Sequence, residues 1–135
     1  MFTTAPGVAD SLLSNTGVFR LTLGEDKPEQ IVSGRQFNHL AVSDDGHFFI
    51  VDDHRTQTIH IGSVETGRSL KLCDSRTRQG KPQYTHAHPY LTPDNRHVIF
   101  NSNVTGVTQV YAASVPAAFL EKLAPAQNEK PKPQP

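Results

Sequence analysis

At 135 residues, 36% of them hydrophobic, the chain has the length of one domain with a core of its own. Its 13 Lys and Arg balance 13 Asp and Glu, and no basic cluster stands outside the Lys130 to Lys132 tail, so a partner held by phosphate neutralisation is not expected. The single Cys73 excludes an internal disulfide and a multi-cysteine metal site, and no signal-peptide pattern or apolar run near the ~18 residues of a membrane span is present, so a cytoplasmic protein without membrane or nucleic-acid partners is expected.

Residues 1–16 read as an irregular segment. VFRLTLG (18–24) and EQIVSG (29–34) then read as strands, the outer strands of one unit. Next comes a repeat. NHLAVSDDGHFFIVDD (38–53) lies over AHPYLTPDNRHVIFNS (87–102) without a gap, at the 49-residue offset that takes His39 to His88. Asp45 falls on Asp94, Phe49 on Val98 and Ile50 on Ile99, and the match continues to Val64 over Ala113.

Each copy predicts a short strand, a tight turn (SDDG or TPDN), an apolar strand, a second turn and an alternating strand, and SLKLCDS (69–75) adds a fourth strand to the first copy. A period near 50 with four strands is that of a propeller blade. The expected fold is therefore all-β, a propeller fragment of two to three four-stranded antiparallel blades over residues 17–116, with repeats at 36–75 and 84–114. Residues 117–135 read as a short helix followed by a disordered Pro-rich tail. Propellers close with about four to eight blades, so the chain reads as part of a ring, completed by further blades or by self-association through open sheet edges.

Seven histidines are present. In an extended segment His86 and His88 project from one face of a strand, and the repeat places His39 at the position equivalent to His88. The first strand of each blade lines the propeller channel, so three imidazoles meet there, a donor set for a divalent transition metal. Gln83 has the wrong parity for that strand face and reaches the metal only from a turn or bulge. The other histidines, His47, His54, His60 and His97, are read as surface or structural. Asp45 and Asp94 read as turn caps; Asp52 and Asp53 are either partners of a histidine or a solvated strand edge. Cys73 reads as packing on an outer strand. No nucleophile elbow, Walker loop or dinucleotide fingerprint competes.

The segment QYTHAHPYLTPDNRHVIFNSNVTGVTQVYAASVP, from Gln83 to Pro116, resembles the C-terminal blades of oligogalacturonate lyases, within the wider group of TolB-like propellers. TPDNRHVIFNSN and QVYAA are common to many such repeats, whereas the Q-x-x-H-x-H-P run of Gln83, His86, His88 and Pro89 is far more specific. The resemblance covers about residues 17–116. It implies that Gln83, His86 and His88 bind manganese together with His39, and that the activity is β-elimination on short oligogalacturonides during pectin breakdown. Zinc and iron suit the same donors. The family ring has seven blades, and its base and most of its substrate-binding arginines lie on blades without a counterpart here, so no catalytic residue is assigned. A non-catalytic propeller fragment that serves as a binding module is the alternative, and a different metal-dependent propeller hydrolase or isomerase is a third. Bound metal separates the first reading from the second.

Overall fold

The β-branched and aromatic runs form ten strands among the residues that the computed structural model describes, 1–3, 17–33, 35–78 and 83–125. Three antiparallel sheets follow one another along the chain. The first holds β1 (Phe2–Thr3), β2 (Gly17–Arg20) and β3 (Glu29–Ser33). The second is a four-stranded meander of β4 (Phe37–Val42), β5 (Phe48–Asp53), β6 (Thr58–Ser63) and β7 (Ser69–Asp74). The third holds β8 (Tyr90–Leu91), β9 (His97–Ser102) and β10 (Gln109–Ser114), and the helix α1 (Ala117–Glu121) follows it. Among the described residues no helix is long and apolar enough to cross a membrane.

The turns explain the repeat. Ser43 Oγ donates to Asp45 Oδ1 and accepts from the Phe48 amide, while Asp45 Oδ1 also accepts from the His47 amide. The same bonds recur one period later at Thr92, Asp94, Arg96 and His97. These bonds hold the Asp45 and Asp94 carboxyls below the usual carboxylate range, with the Ser43 and Thr92 hydroxyls as the largest cause. Both aspartates are therefore turn caps. Gly46, at φ +74, supplies the left-handed residue that the first turn requires. Asn95 Nδ2 donates to Asp45 Oδ2 at 2.6 Å and ties the two turns together.

The middle sheet is covered on both faces, which is why β5 and β6 are buried along nearly their whole length. Alternate residues of β5 serve different cores. Phe49 and Val51 pack with Val18 and Phe37 toward the first sheet. Ile50 joins Ile59, Ile61, Leu91, Val98 and Phe100 toward the third, where Val115 and Leu123 close the layer. Sheets stacked face to face with sequential strands are consecutive propeller blades. Cys73 packs at the margin of the second core, and burial raises its thiol pKa, in keeping with an inert packing role.

Several expectations need correction. Among the described residues the middle sheet has four strands and each of its neighbours three. Phe2–Thr3 pairs with β2 although residues 1–16 read as irregular, and the rest of that segment lies outside the described residues. The strand expected at 18–24 ends at Arg20, where Thr22–Glu25 turns the chain. In the second copy the inner strand is only Tyr90–Leu91, so His86 and His88 precede it instead of lying in it. The Pro-rich tail expected beyond α1 lies outside the described residues from 126 onward. The outer strand β10 is a sheet edge with Val110 71% exposed, the kind of edge through which association is expected.

His60 on β6 is only 1% exposed. Its Nε2 meets Thr58 Oγ1 at 2.8 Å, its ring lies against Phe37, and its Nδ1 is buried with no hydrogen-bond partner. Burial disfavours the imidazolium and lowers the pKa from 6.5 to about 4. The folded state thus resists a proton that the unfolded chain takes up below 6.5. His60 therefore contributes full stability above that pH and loses it as the pH falls toward 4, by about 3 kcal/mol in all. Thermal unfolding midpoints between pH 7 and 4 are expected to fall less steeply for His60→Asn than for the wild type. Parallel curves would remove His60 as the cause.

Candidate metal centre

His39 is placed by a defect in β4. Phe37 pairs with Asp53 and Leu40 with Val51, so Asn38 and His39 together face Asp52. Such a bulge leaves an amide unpaired and re-aims a side chain. Asp52 satisfies that amide, accepting the His39 backbone N–H on Oδ1 at 2.7 Å, and its Oδ2 takes the ring Nδ1 at 2.9 Å. An ionised carboxylate only accepts, so Nδ1 carries the hydrogen and Nε2 presents a lone pair. Asp52 is thus the histidine partner and not a solvated edge. Asp53 instead caps the next turn through the Arg55 and Thr56 amides.

His86 and His88 come from the segment between the 3-10 helix Gln83–Thr85 and β8. The buried Ala87 separates them, and its carbonyl accepts the Asn101 amide at 2.8 Å, which pins the segment to β9. His88 has φ +42, a left-handed conformation rare for a residue with a side chain. Strain of this kind collects at ligand sites, where surrounding contacts hold it. The expected strand face is therefore absent, yet the rings converge. His39 and His88 have ring centroids 3.8 Å apart, His39 and His86 5.3 Å, and His86 and His88 6.0 Å.

One nitrogen from each of His39, His86 and His88 lies within 4.8 Å of the others. A metal–imidazole bond is about 2.1 Å, so nitrogens sharing one ion lie within about 4 Å, close to the spacing found. Three neutral imidazoles, one oriented by a carboxylate, are a donor set suited to a divalent transition metal. Gln83 stands in a turn, as its parity required, and its side chain lies outside the described residues.

His47 and His97 belong to the opposite ends of the hairpins, and His60 is buried in β6. His54, read as surface or structural, lies next to two rings of the cluster. Its ring lies edge-on to His86 at 5.0 Å and to His39 at 6.4 Å, and burial lowers its pKa, which favours the neutral ring. A signal was available: His54 follows the strand end that faces His39 in the hairpin, and its amide donates to Gln36.

Exchange of Asp52 for Asn removes the anion that sets the His39 tautomer. Losses of this kind weaken metal binding by roughly 10- to 100-fold, and calorimetric titration of Asp52→Asn with manganese is expected to fall in that range. Unchanged affinity would show that His39 needs no such partner.

No family model matches the chain. Over 79 residues it is 34% identical to the oligogalacturonate lyase of Dickeya dadantii and 35% identical to the oligogalacturonide lyase of Pectobacterium atrosepticum. Each match covers 56% of this chain and 20% of the relative, so the chain spans about a fifth of the length of those proteins. In fold it is similar to an oligogalacturonate lyase in complex with manganese, with a TM-score of 0.68 at 19% identity over 79% of this chain and 30% of the other. The corresponding values are 0.60, 23%, 78% and 34% for the oligogalacturonate lyase of Vibrio parahaemolyticus. A putative TolB of Agrobacterium tumefaciens gives 0.55 at 19% identity over 74% and 34%. Over the blades it contains, the chain is thus similar in sequence to part of two oligogalacturonate lyases and shares the fold of the propeller proteins it matches in structure.

Proposed function

We propose that the chain carries the metal-binding blades of an oligogalacturonate lyase, a cytoplasmic enzyme that cleaves short oligogalacturonides by β-elimination in pectin breakdown. The observation that carries this reading is the convergence of His39, His86 and His88 on one point. Manganese is the proposed ion, with Gln83 as its fourth ligand. A divalent cation held by neutral donors would supply a strong positive charge for a uronate carboxylate and for the charge that develops when the neighbouring proton is removed.

The chain's own residues hold and orient. Asp52 keeps His39 Nε2 directed into the site, and the Ala87 to Asn101 bond keeps His86 and His88 beside it. The base is assigned to no residue of this chain, so elimination requires the further blades of a complete ring. The test has two parts. The chain, stripped with a chelator and dialysed against manganese, is expected to retain about one equivalent of metal. Within a complete ring, digalacturonate is expected to yield a product with new ultraviolet absorbance, and His86→Ala is expected to abolish it. A folded chain that takes up no metal would favour the binding module instead.

A further inference from the structure

Zero net charge conceals a polarity. Hairpin connections alternate between the two ends of the blades. One end carries the histidine cluster, the turn 54–57 and residues 75–78 and 83–89 of the crossing between the blades; the other carries the turns 43–47, 64–68 and 92–96. At the far end Asp44, Asp45, Glu65 and Asp94 are exposed, interspersed with Arg68 and Arg96. At the histidine end the exposed charges include Arg35, Arg55, Arg76 and Arg78. The acids there are engaged: Asp52 with His39, buried Asp53 with its turn and Arg35, and Asp74 with Lys71.

The crossing segment is built to present its arginines. Ser75 and Thr77 are buried, with Ser75 Oγ donating to the Gln57 carbonyl and Thr77 Oγ1 to the Thr85 carbonyl. Asn103 clamps the next residue from both sides, accepting the Arg78 amide at 2.6 Å and donating to its carbonyl at 2.9 Å. Arg76, at φ +53, and Arg78 alternate with the buried pair and face solvent. Among the described residues no ion pair engages Arg55, Arg76 or Arg78. Tyr84, 66% exposed, stands two residues before His86.

Guanidinium groups left without anions on a fixed backbone are suited to carboxylates, which they bind in a bidentate fork. The exposed Tyr84 at the same end offers an aromatic face that suits the C–H face of a pyranose. Three such cations are too few for affinity driven by phosphate neutralisation alone. We propose that the histidine end is a metal-independent binding face for a carboxylate-bearing saccharide chain, with Arg55, Arg76 and Arg78 holding carboxylates and Tyr84 packing against a sugar ring. This rests on the proposed function for the substrate class and adds to it the residues that hold the chain beyond the metal.

The experiment is titration of the chain with tetragalacturonate, with and without chelator, beside fully methyl-esterified tetragalacturonate. The chelated wild type is expected to bind the acid, more weakly as salt rises, and not the ester. Arg76→Gln with Arg78→Gln is expected to weaken binding at least about tenfold, the scale of one lost hydrogen bond to a charged group, and Tyr84→Ala to weaken it for acid-dependent binding as well. Arg68→Gln at the far end should leave it within about twofold. Equal binding of the ester, or full affinity in the double variant, overturns the proposal. Binding that vanishes with chelator while the arginine variants are silent also overturns it and leaves the lyase reading standing. Arginine-dependent binding by a chain that takes up no manganese supports this face and defeats the metal reading. An inorganic polyphosphate of equal charge that competes as well as the acid overturns the saccharide assignment.

Discussion

His86→Ala is expected to remove manganese binding, with a loss beyond the roughly 10- to 100-fold that changing a ligand's hydrogen-bond partner causes. His86 supplies one of three imidazole nitrogens that lie within 4.8 Å of one another. Its removal leaves His39 and His88, and water replaces an imidazole poorly at a site whose remaining ligands are already oriented. His97→Ala is the matched control. His97 begins β9 beside Ser114, at the end of the blade away from the cluster, so its metal content should equal that of the wild type. Metal analysis of the three proteins after dialysis decides the matter. Equal content in all of them, or none in any, would return these histidines to a structural role.

Phe49→Ala is expected to be the most destabilising single change in the blade core, by about 3–5 kcal/mol. Phe49 is fully buried and packs with Val18, Phe37 and Val51 between the first and second sheets. Its ring also covers Gly62, its partner across the β5 to β6 pairing, where an added Cβ would lie 2.0 Å from Phe49 Cζ. Truncation therefore empties both the layer between sheets and the hollow over the glycine. Domains are stable by about 5–15 kcal/mol, so a large part of the total is at stake. Urea unfolding should show the loss, while Val110→Ala on the exposed edge should stay within about 0.5 kcal/mol. If the two variants unfold alike, the packing between the sheets is not what holds the blade. Gly62→Val is expected to destabilise as well, by about 1–3 kcal/mol, through overpacking of the same hollow.

Periodicity and structure part at His86 and His88. A strand with both rings on one face was the reason to group them, and that strand is absent: the chain there is irregular, with His88 left-handed. The grouping with His39 nonetheless holds, because the repeat places both segments at the same end of adjacent blades. The family resemblance carried the same residues by motif. The hairpin register brings His54 toward His39, but its contact with His86, 32 positions on, has no local signal. Side-chain periodicity does not register such contacts.

What the sequence by itself determined follows from local physics: the period, the Ser/Thr and Asp bonds of the turns, the apolar strands and the candidate ligands His39, His86 and His88 all rest on interactions over a few residues. Only the tertiary structure decided the rest. The bulge that joins His39 to Asp52 depends on a pairing register. The His54 contact depends on the approach of two blades. A net charge of zero argued against a polyanionic partner, yet charge summed along a chain carries no direction. Hairpin reversal sorts the loops to two ends, and that sorting exposes arginines at the histidine end while the acids there are buried or paired.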